Sequence, residues 1–161
     1  MDYYNKISKS YNELHKEEQL KKISLIKRHI KLNKNSLLLD VGSGTGISTK
    51  PFKNKCTAIS LDPSYNMLKK SPCIKIQAEA ENLPFKDKAF DAVISITAIQ
   101  NFLNIEKAIK EIERVAKGQI IISVIKKSKK LDKIKGLLKN YKQIEEEKDI
   151  IFIENKYKKK E

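Results

Sequence analysis

Three glycines at alternate positions, Gly42, Gly44 and Gly46, follow an apolar run that ends in an acid and a valine, Leu37-Leu38-Leu39-Asp40-Val41. Such a run reads as a buried strand breaking into a turn, with Asp40 projecting near its carboxyl end. Glycine there lets the backbone bend sharply and lie against a bound molecule without Cβ interference. A dinucleotide-binding loop would place its third glycine where this chain has Ile47, and it would have no anion beside it. A phosphate-cradling P-loop needs Lys and then Ser or Thr after its last glycine, whereas Gly46 is followed by Ile47-Ser48-Thr49. An acid beside a glycine turn suits a ligand with a positive amino group and a sulfonium, and no phosphate to repel.

The segment Leu39-Asp40-Val41-Gly42-Ser43-Gly44-Thr45-Gly46 resembles the first motif of the Rossmann-like (class I, type 11) S-adenosylmethionine-dependent methyltransferases. A second strand, residues 56–61, ends in Asp62, where an acid can accept both ribose hydroxyls, and Asp62-Pro63-Ser64-Tyr65-Asn66-Met67-Leu68 is similar to the second motif. Gln77-Ala78-Glu79-Ala80-Glu81-Asn82-Leu83-Pro84-Phe85 and Phe90-Asp91-Ala92-Val93-Ile94-Ser95 resemble the third and fourth. The resemblance spans residues 37–125. It departs from the family at Ala78-Glu79, where Gly-Asp is usual; the longer acid still reaches for an adenine amino group. The resemblance implies S-adenosyl-L-methionine as cofactor, touched by Asp40, Gly42, Ser43, Gly44, Gly46, Asp62, Pro63, Met67, Glu79, Ala80, Ser95 and Ile96. Taken singly, each piece has a plainer reading: glycines that only turn the chain, Asp62 as a helix cap, Glu79 and Glu81 as a solvated acidic loop.

Methyl transfer from a sulfonium is an in-line displacement that needs proximity, alignment and desolvation, so no dedicated nucleophile is sought. The resemblance implies that residues 97–102 face the methyl group. There Gln100 and Asn101 are candidates to orient an acceptor by hydrogen bonds, while Ile99 and Phe102 pack. Tyr11 and His15, one helical turn apart, belong to an aromatic lead-in that in relatives folds over the methionine end of the cofactor. Both pairs read equally well as ordinary helix residues. The family's Asn-Pro-Pro-Tyr signature for amino-group methylation is absent.

With 161 residues, 40% apolar and 34% charged, the chain suits a single domain, residues 1–161, in which 1–36 form a helical lead-in and 157–161 a disordered tail. No apolar run approaches the roughly 20 residues that cross a bilayer, and nothing marks export, so a cytoplasmic protein without membrane contact is expected. Cys56 and Cys73 make no metal or disulfide pattern, and no zinc is expected.

The net charge of +14 invites a polyanion. The same lysine excess also fits thermophile or codon bias. Half of it lies in residues 126–142, where Lys126, Lys127, Lys129, Lys130, Lys133, Lys135, Lys139 and Lys142 face one acid, Asp132. Following a strand, these lysines emerge at the ligand-binding edge of an α/β sheet, so the segment from Lys126 to Lys142 is read as an RNA contact.

Alternating helix and strand patterns predict an α/β fold: a single doubly wound, mostly parallel seven-stranded sheet with an antiparallel C-terminal hairpin. Strands are expected at 37–41, 56–61, 74–78, 90–96 and 119–125, with the hairpin at 141–146 and 150–155. Helices are expected at 10–31, 47–53, 65–70, 129–140 and after an Asn104 cap, the last ended by Gly118. In it, Glu106 pairs with Lys110 and Lys107 with Glu111. The third strand, Ile74 to Ala78, lies at an edge where another chain can add a strand; relatives that modify RNA or release factors use a small activator protein there. The chain leaves almost no room for the helices that roof small-molecule sites. An RNA (tRNA or rRNA) methyltransferase, with or without an activator subunit, is therefore the favoured reading, ahead of a small-molecule methyltransferase and a non-catalytic cofactor-binding subunit.

Overall fold

The computed structural model describes residues 2–157, with side chains from Glu13 onward. They fall into two compact units, divided after Lys31. The first is the helix α1 (Asp2–His29). It begins earlier than its apolar periodicity predicts, because no glycine or proline interrupts residues 2–29. Lys27, Arg28 and His29 in its last turn complement the helix's negative end.

The second unit is built on seven strands: β1 (Leu37–Val41), β2 (Thr57–Asp62), β3 (Ile74–Gln77), β4 (Phe90–Ile96), β5 (Ala116–Ile125), β6 (Lys142–Glu145) and β7 (Asp149–Asn155), in the order β3-β2-β1-β4-β5-β7-β6. The first five run parallel, β7 is antiparallel to β5, and β6 is antiparallel to β7. This is the expected doubly wound architecture with its C-terminal hairpin. Val41 lies beside Leu61, Asp62 beside Gln77 and Asp40 beside Ile94, so β1, β2, β3 and β4 all end along one edge. Their order reverses between β1 and β4, the switch point at which open α/β sheets bind ligands.

Apolar burial fixes the register. In β5 the consecutive Ile120, Ile121 and Ile122 are all fully buried, as they must be in a strand covered on both faces. The helix α3 (Ile105–Val115) starts at Asn104, whose Oδ1 accepts from the Lys107 amide at 3.0 Å. Its buried residues Ile105, Ala108, Ile109, Ile112 and Val115 keep helical spacing.

The other helices are shorter than expected. Residues 47–53 supply one 3-10 turn, Lys50–Phe52, opened by Pro51. The remaining two are α2 (Tyr65–Leu68) and α4 (Leu131–Leu137), the latter weakened by Gly136.

Gly118 does not end α3. That helix stops at Val115 and β5 starts at once, with Gly118 inside the strand. The Lys156 ammonium takes the helix-end role instead, donating to the Glu113 and Ala116 carbonyls. Gly118 is needed for a different reason: a Cβ there would lie 2.2 Å from the Tyr157 ring and 2.6 Å from the Asp91 carbonyl. Tyr157, expected in a disordered tail, therefore packs on β5 and donates its hydroxyl to Asp91 Oδ1 at 3.3 Å. Residues 158–161 lie outside the described residues. Lys110 does pair with Glu106, at 3.4 Å. Glu111 turns to Arg114 rather than to Lys107.

Gly118→Ala should destabilise the protein by about 1–3 kcal/mol through overpacking. Gly136→Ala, where an added Cβ meets nothing within 4 Å, should stabilise it by about 0.5–1 kcal/mol. Urea unfolding of the two variants should move the midpoint in opposite directions.

Candidate functional site

The loop after β1 is stitched to the end of β2. The Gly42 and Ser43 amides both donate to the Leu61 carbonyl, at 2.8 and 3.0 Å, and the Gly44 amide donates to Asp62 Oδ2 at 2.9 Å. The other carboxylate oxygen of Asp62 accepts from the Ser64 amide at 2.9 Å. Three successive N–H groups that a free loop would offer to a phosphate are thus already taken, which gives the exclusion of phosphate ligands a structural reason.

All three glycines are left-handed, with φ of 74° at Gly42, 55° at Gly44 and 83° at Gly46. Two of them also serve protein packing. A Cβ on Gly42 would sit 2.7 Å from Ala98 Cβ and 3.2 Å from the Phe102 ring, and one on Gly46 would sit 2.4 Å from Ser71 Oγ. At Gly44 the nearest atom is the Met67 methyl, at 3.4 Å.

Asp40 differs from expectation. Rather than projecting from the strand end, it is fully buried, and its Oδ2 accepts from the Ser48 hydroxyl and, at 2.7 Å, from Thr49. Thr49 accepts in turn from Ser60 at 2.7 Å, and Ser60 meets Ser71 at 2.8 Å. This hydroxyl chain fastens the far end of the glycine loop. Asp40 Oδ1 is buried without a partner. Burial pushes the carboxyl up to about 6, against the two hydroxyl bonds that lower it and with a smaller push from Asp62.

Beside the loop lies a cleft of about 100 Å³, lined by Gly42, Leu61, Pro63, Glu79, Ala80, Glu81, Asn101, Phe102 and Leu103. The structure thus brings together five of the candidate cofactor and acceptor residues, Gly42, Pro63, Glu79, Ala80 and Asn101, with Phe102 packed beside them. Asp62 borders them as the loop staple. Met67, adjoining Gly44, is 42% exposed.

Ser95, Ile96, Ser43 and Gln100 are not among the residues that line the cleft. Ser95 is buried and donates to the Val41 carbonyl at 2.9 Å, joining β4 to β1, and Ile96 is buried in β4. Ser43 is buried with its hydroxyl unpartnered. Gln100 is turned back, its Nε2 donating to the Thr97 carbonyl at 3.0 Å. His15 is exposed on α1, in the other unit, and the Tyr11 side chain lies outside the described residues.

Leu61, Glu81 and Leu103 are wall residues that sequence reasoning did not assign. The signal for Leu103 was its place directly after Phe102; it is 92% exposed at the cleft. The segment that carries Asn101 and Phe102 starts at Thr97, which has φ 52°, an unusual conformation for a β-branched residue. Its amide is held by the Ser123 carbonyl at 3.0 Å. Next to this segment, Lys130 Nζ donates to the Gln100 carbonyl at 3.1 Å, so the basic stretch abuts the cleft.

Among the described residues, two acids and no basic residue line the cleft, a set of acceptors that fits a ligand rich in hydroxyl and amino groups and free of phosphate. Residues 39–122 match the methyltransferase domain family. The chain belongs to that family. An uncharacterized protein of Methanocaldococcus jannaschii is 35% identical over 147 residues, covering 86% of this chain and 55% of that protein. A sterol 4-C-methyltransferase of Caenorhabditis elegans is 30% identical over 132 residues, covering 73% of this chain and 40% of that protein. A chain from the complex between the Haloferax volcanii Trm112 methyltransferase activator and a methyltransferase shares the fold, with TM-score 0.55, 20% identity, and coverage of 59% of this chain and 47% of that one. This methyltransferase domain therefore spans about half the length of the relatives it matches. The family implies S-adenosylmethionine as cofactor, and the acid-lined cleft beside the glycine loop fits it. No metal-binding group of His, Cys, Asp and Glu is found among the described residues, nor any helix long and apolar enough to cross a membrane.

The folded Asp40 carboxyl keeps its proton to about pH 6, whereas the unfolded one loses it near 3.8. Between those values the folded state binds more protons, so this contribution is complete below the lower value and falls as pH rises, by about 3 kcal/mol in all. Asp40→Asn removes the linkage. Urea unfolding from pH 4 to 6.5 should show wild type losing stability relative to this variant; parallel profiles would contradict the buried proton.

Proposed function

We propose that this chain is an S-adenosylmethionine-dependent methyltransferase acting on RNA. The contact between Lys130 and the Gln100 carbonyl carries this reading, because it puts a basic surface directly beside an acidic cleft. A cofactor bound in the cleft supplies an electrophilic methyl group. Asp62 keeps lone pairs free for ribose hydroxyls beyond its two amide bonds, Glu79 offers an acceptor to the adenine amino group, and Pro63 and Ala80 present apolar surface to the ring. Leu61 and Phe102 exclude water, and the exposed amide of Asn101 is placed to orient an acceptor. The glycine loop keeps Cβ atoms away from the methionine part.

The division of charge supports a polyanionic acceptor. Lys127, Lys129, Lys130, Lys133, Lys139 and Lys142 are all exposed, while Lys126 is paired with Glu145 at 3.8 Å. A phosphate backbone held by the lysines leaves the acidic wall to the cofactor.

The edge strand β3 suits an activator protein. Ile74 is 53% exposed on it, and the Haloferax neighbour comes from a complex with such an activator. A smaller apolar acceptor is the second reading, favoured by the fully presented Leu103 next to Phe102 and by the sterol-methylating relative.

The test is transfer of labelled methyl from the cofactor to separated RNA, protein and metabolite fractions. Label should enter RNA and be lost in Asp62→Ala. Label confined to metabolites would select the second reading, and tight cofactor binding without transfer to any fraction would identify a non-catalytic subunit. Replacing Lys127, Lys130 and Lys133 by Gln should weaken RNA binding and lower the log-log salt slope by about one per phosphate contact removed.

A further inference from the structure

The cleft wall at Glu79, Ala80 and Glu81 belongs to the connection 78–89, which joins β3 to β4 without a helix or strand of its own. Irregular backbone of this kind must find its hydrogen-bond partners elsewhere. Some lie within the connection itself, such as the Asn82 amide on the Glu79 carbonyl at 3.2 Å, and those of Leu83, Phe85 and Lys88 lie on α3.

Glu111 Oε2 accepts from the Leu83 amide at 2.8 Å. Arg114 donates to the Leu83 carbonyl at 3.1 Å, the Phe85 carbonyl at 2.8 Å and Asp87 Oδ1 at 2.9 Å. Its Nε and Nη2 close back on the two Glu111 oxygens at 2.8 and 3.0 Å. All three guanidinium nitrogens are therefore committed to this one loop and its partner acid. Two further ties complete the clamp. The Lys88 amide donates to the Arg114 carbonyl at 2.9 Å, holding Lys88 at φ 54°. At the other end of α3, the Asn104 amide donates to Glu81 Oε1 at 3.1 Å. The Arg114 hydrogen bonds hold the Glu111 carboxyl below the usual range, so it stays ionised and the pair persists.

None of these hydrogen bonds pairs one strand of the sheet with another. We infer that Glu111 and Arg114 are positioning residues for the cofactor cleft: without touching a ligand, they set where the wall 79–81 stands relative to Gly42 and Pro63. This rests on the reading of the cleft as the cofactor site.

Arg114→Lys keeps a cation but cannot span the same acceptors with a planar fork. Calorimetry with S-adenosylmethionine should show binding weakened by about tenfold or more. Amide hydrogen exchange should rise in residues 78–89 and stay unchanged in β4 and β5. Glu111→Gln should fall between wild type and Arg114→Lys, because its one carboxamide oxygen can serve either Leu83 or Arg114. Asp87→Ala, which loses one exposed contact, should bind within about twofold of wild type. Equal binding by wild type and Arg114→Lys would overturn the inference alone, as would exchange rising equally throughout the sheet. Absence of heat in the wild type would overturn the cofactor reading and this inference with it.

Discussion

The parallel pairing of β1 with β2 is the constraint on which the site depends. Because Val41 lies beside Leu61, the first amides of the glycine loop emerge against the carboxyl end of β2, where the Leu61 carbonyl and the Asp62 carboxylate take three of them in succession. A slip of one residue would turn every side chain of β1 to the opposite face and leave those amides unpaired. The left-handed glycines, the cleft they border and the chemistry that the cleft admits are consequences of that register.

From it follows a division of labour between the carboxylates. Asp40, deep in β1, anchors the far end of the loop through Ser48 and Thr49, while Asp62 anchors its near end. Glu79 and Glu81 stand on the opposing connection. The lysines gather outside the cleft, beyond residues 97–102. The acids of the cleft and the exposed lysines beside it thus put opposite charges on adjoining surfaces.

Much of this was legible in the residue pattern. The alternate glycines, the acids near the ends of two successive apolar runs and the mostly apolar β4 mark a doubly wound sheet, since each rests on local backbone demands or on burial from both sides. Strand limits came close to those observed. Helix limits did less well: Pro51 and Gly136 shortened two helices, and α1 ran further than its apolar stripe. At Gly118 a local rule misled, since glycine after a helical pattern usually caps it, whereas here a long-range contact with Tyr157 requires the missing side chain.

Residue types and spacing by themselves determined the fold class and the ligand-binding edge of the sheet, because these follow from short-range periodicity and from where strands must end, whereas the family resemblance pointed to Gly42, Pro63, Glu79, Ala80 and Asn101. The direction in which buried Asp40 faces, the return of Gln100 onto Thr97, the exposure of Leu103 and the fastening of residues 78–89 by Glu111 and Arg114 were decided by the tertiary structure alone. The hydrogen-bonded groups among these lie from 3 to 31 positions apart, and no period along the chain encodes which of several acceptors or surfaces a given side chain will meet.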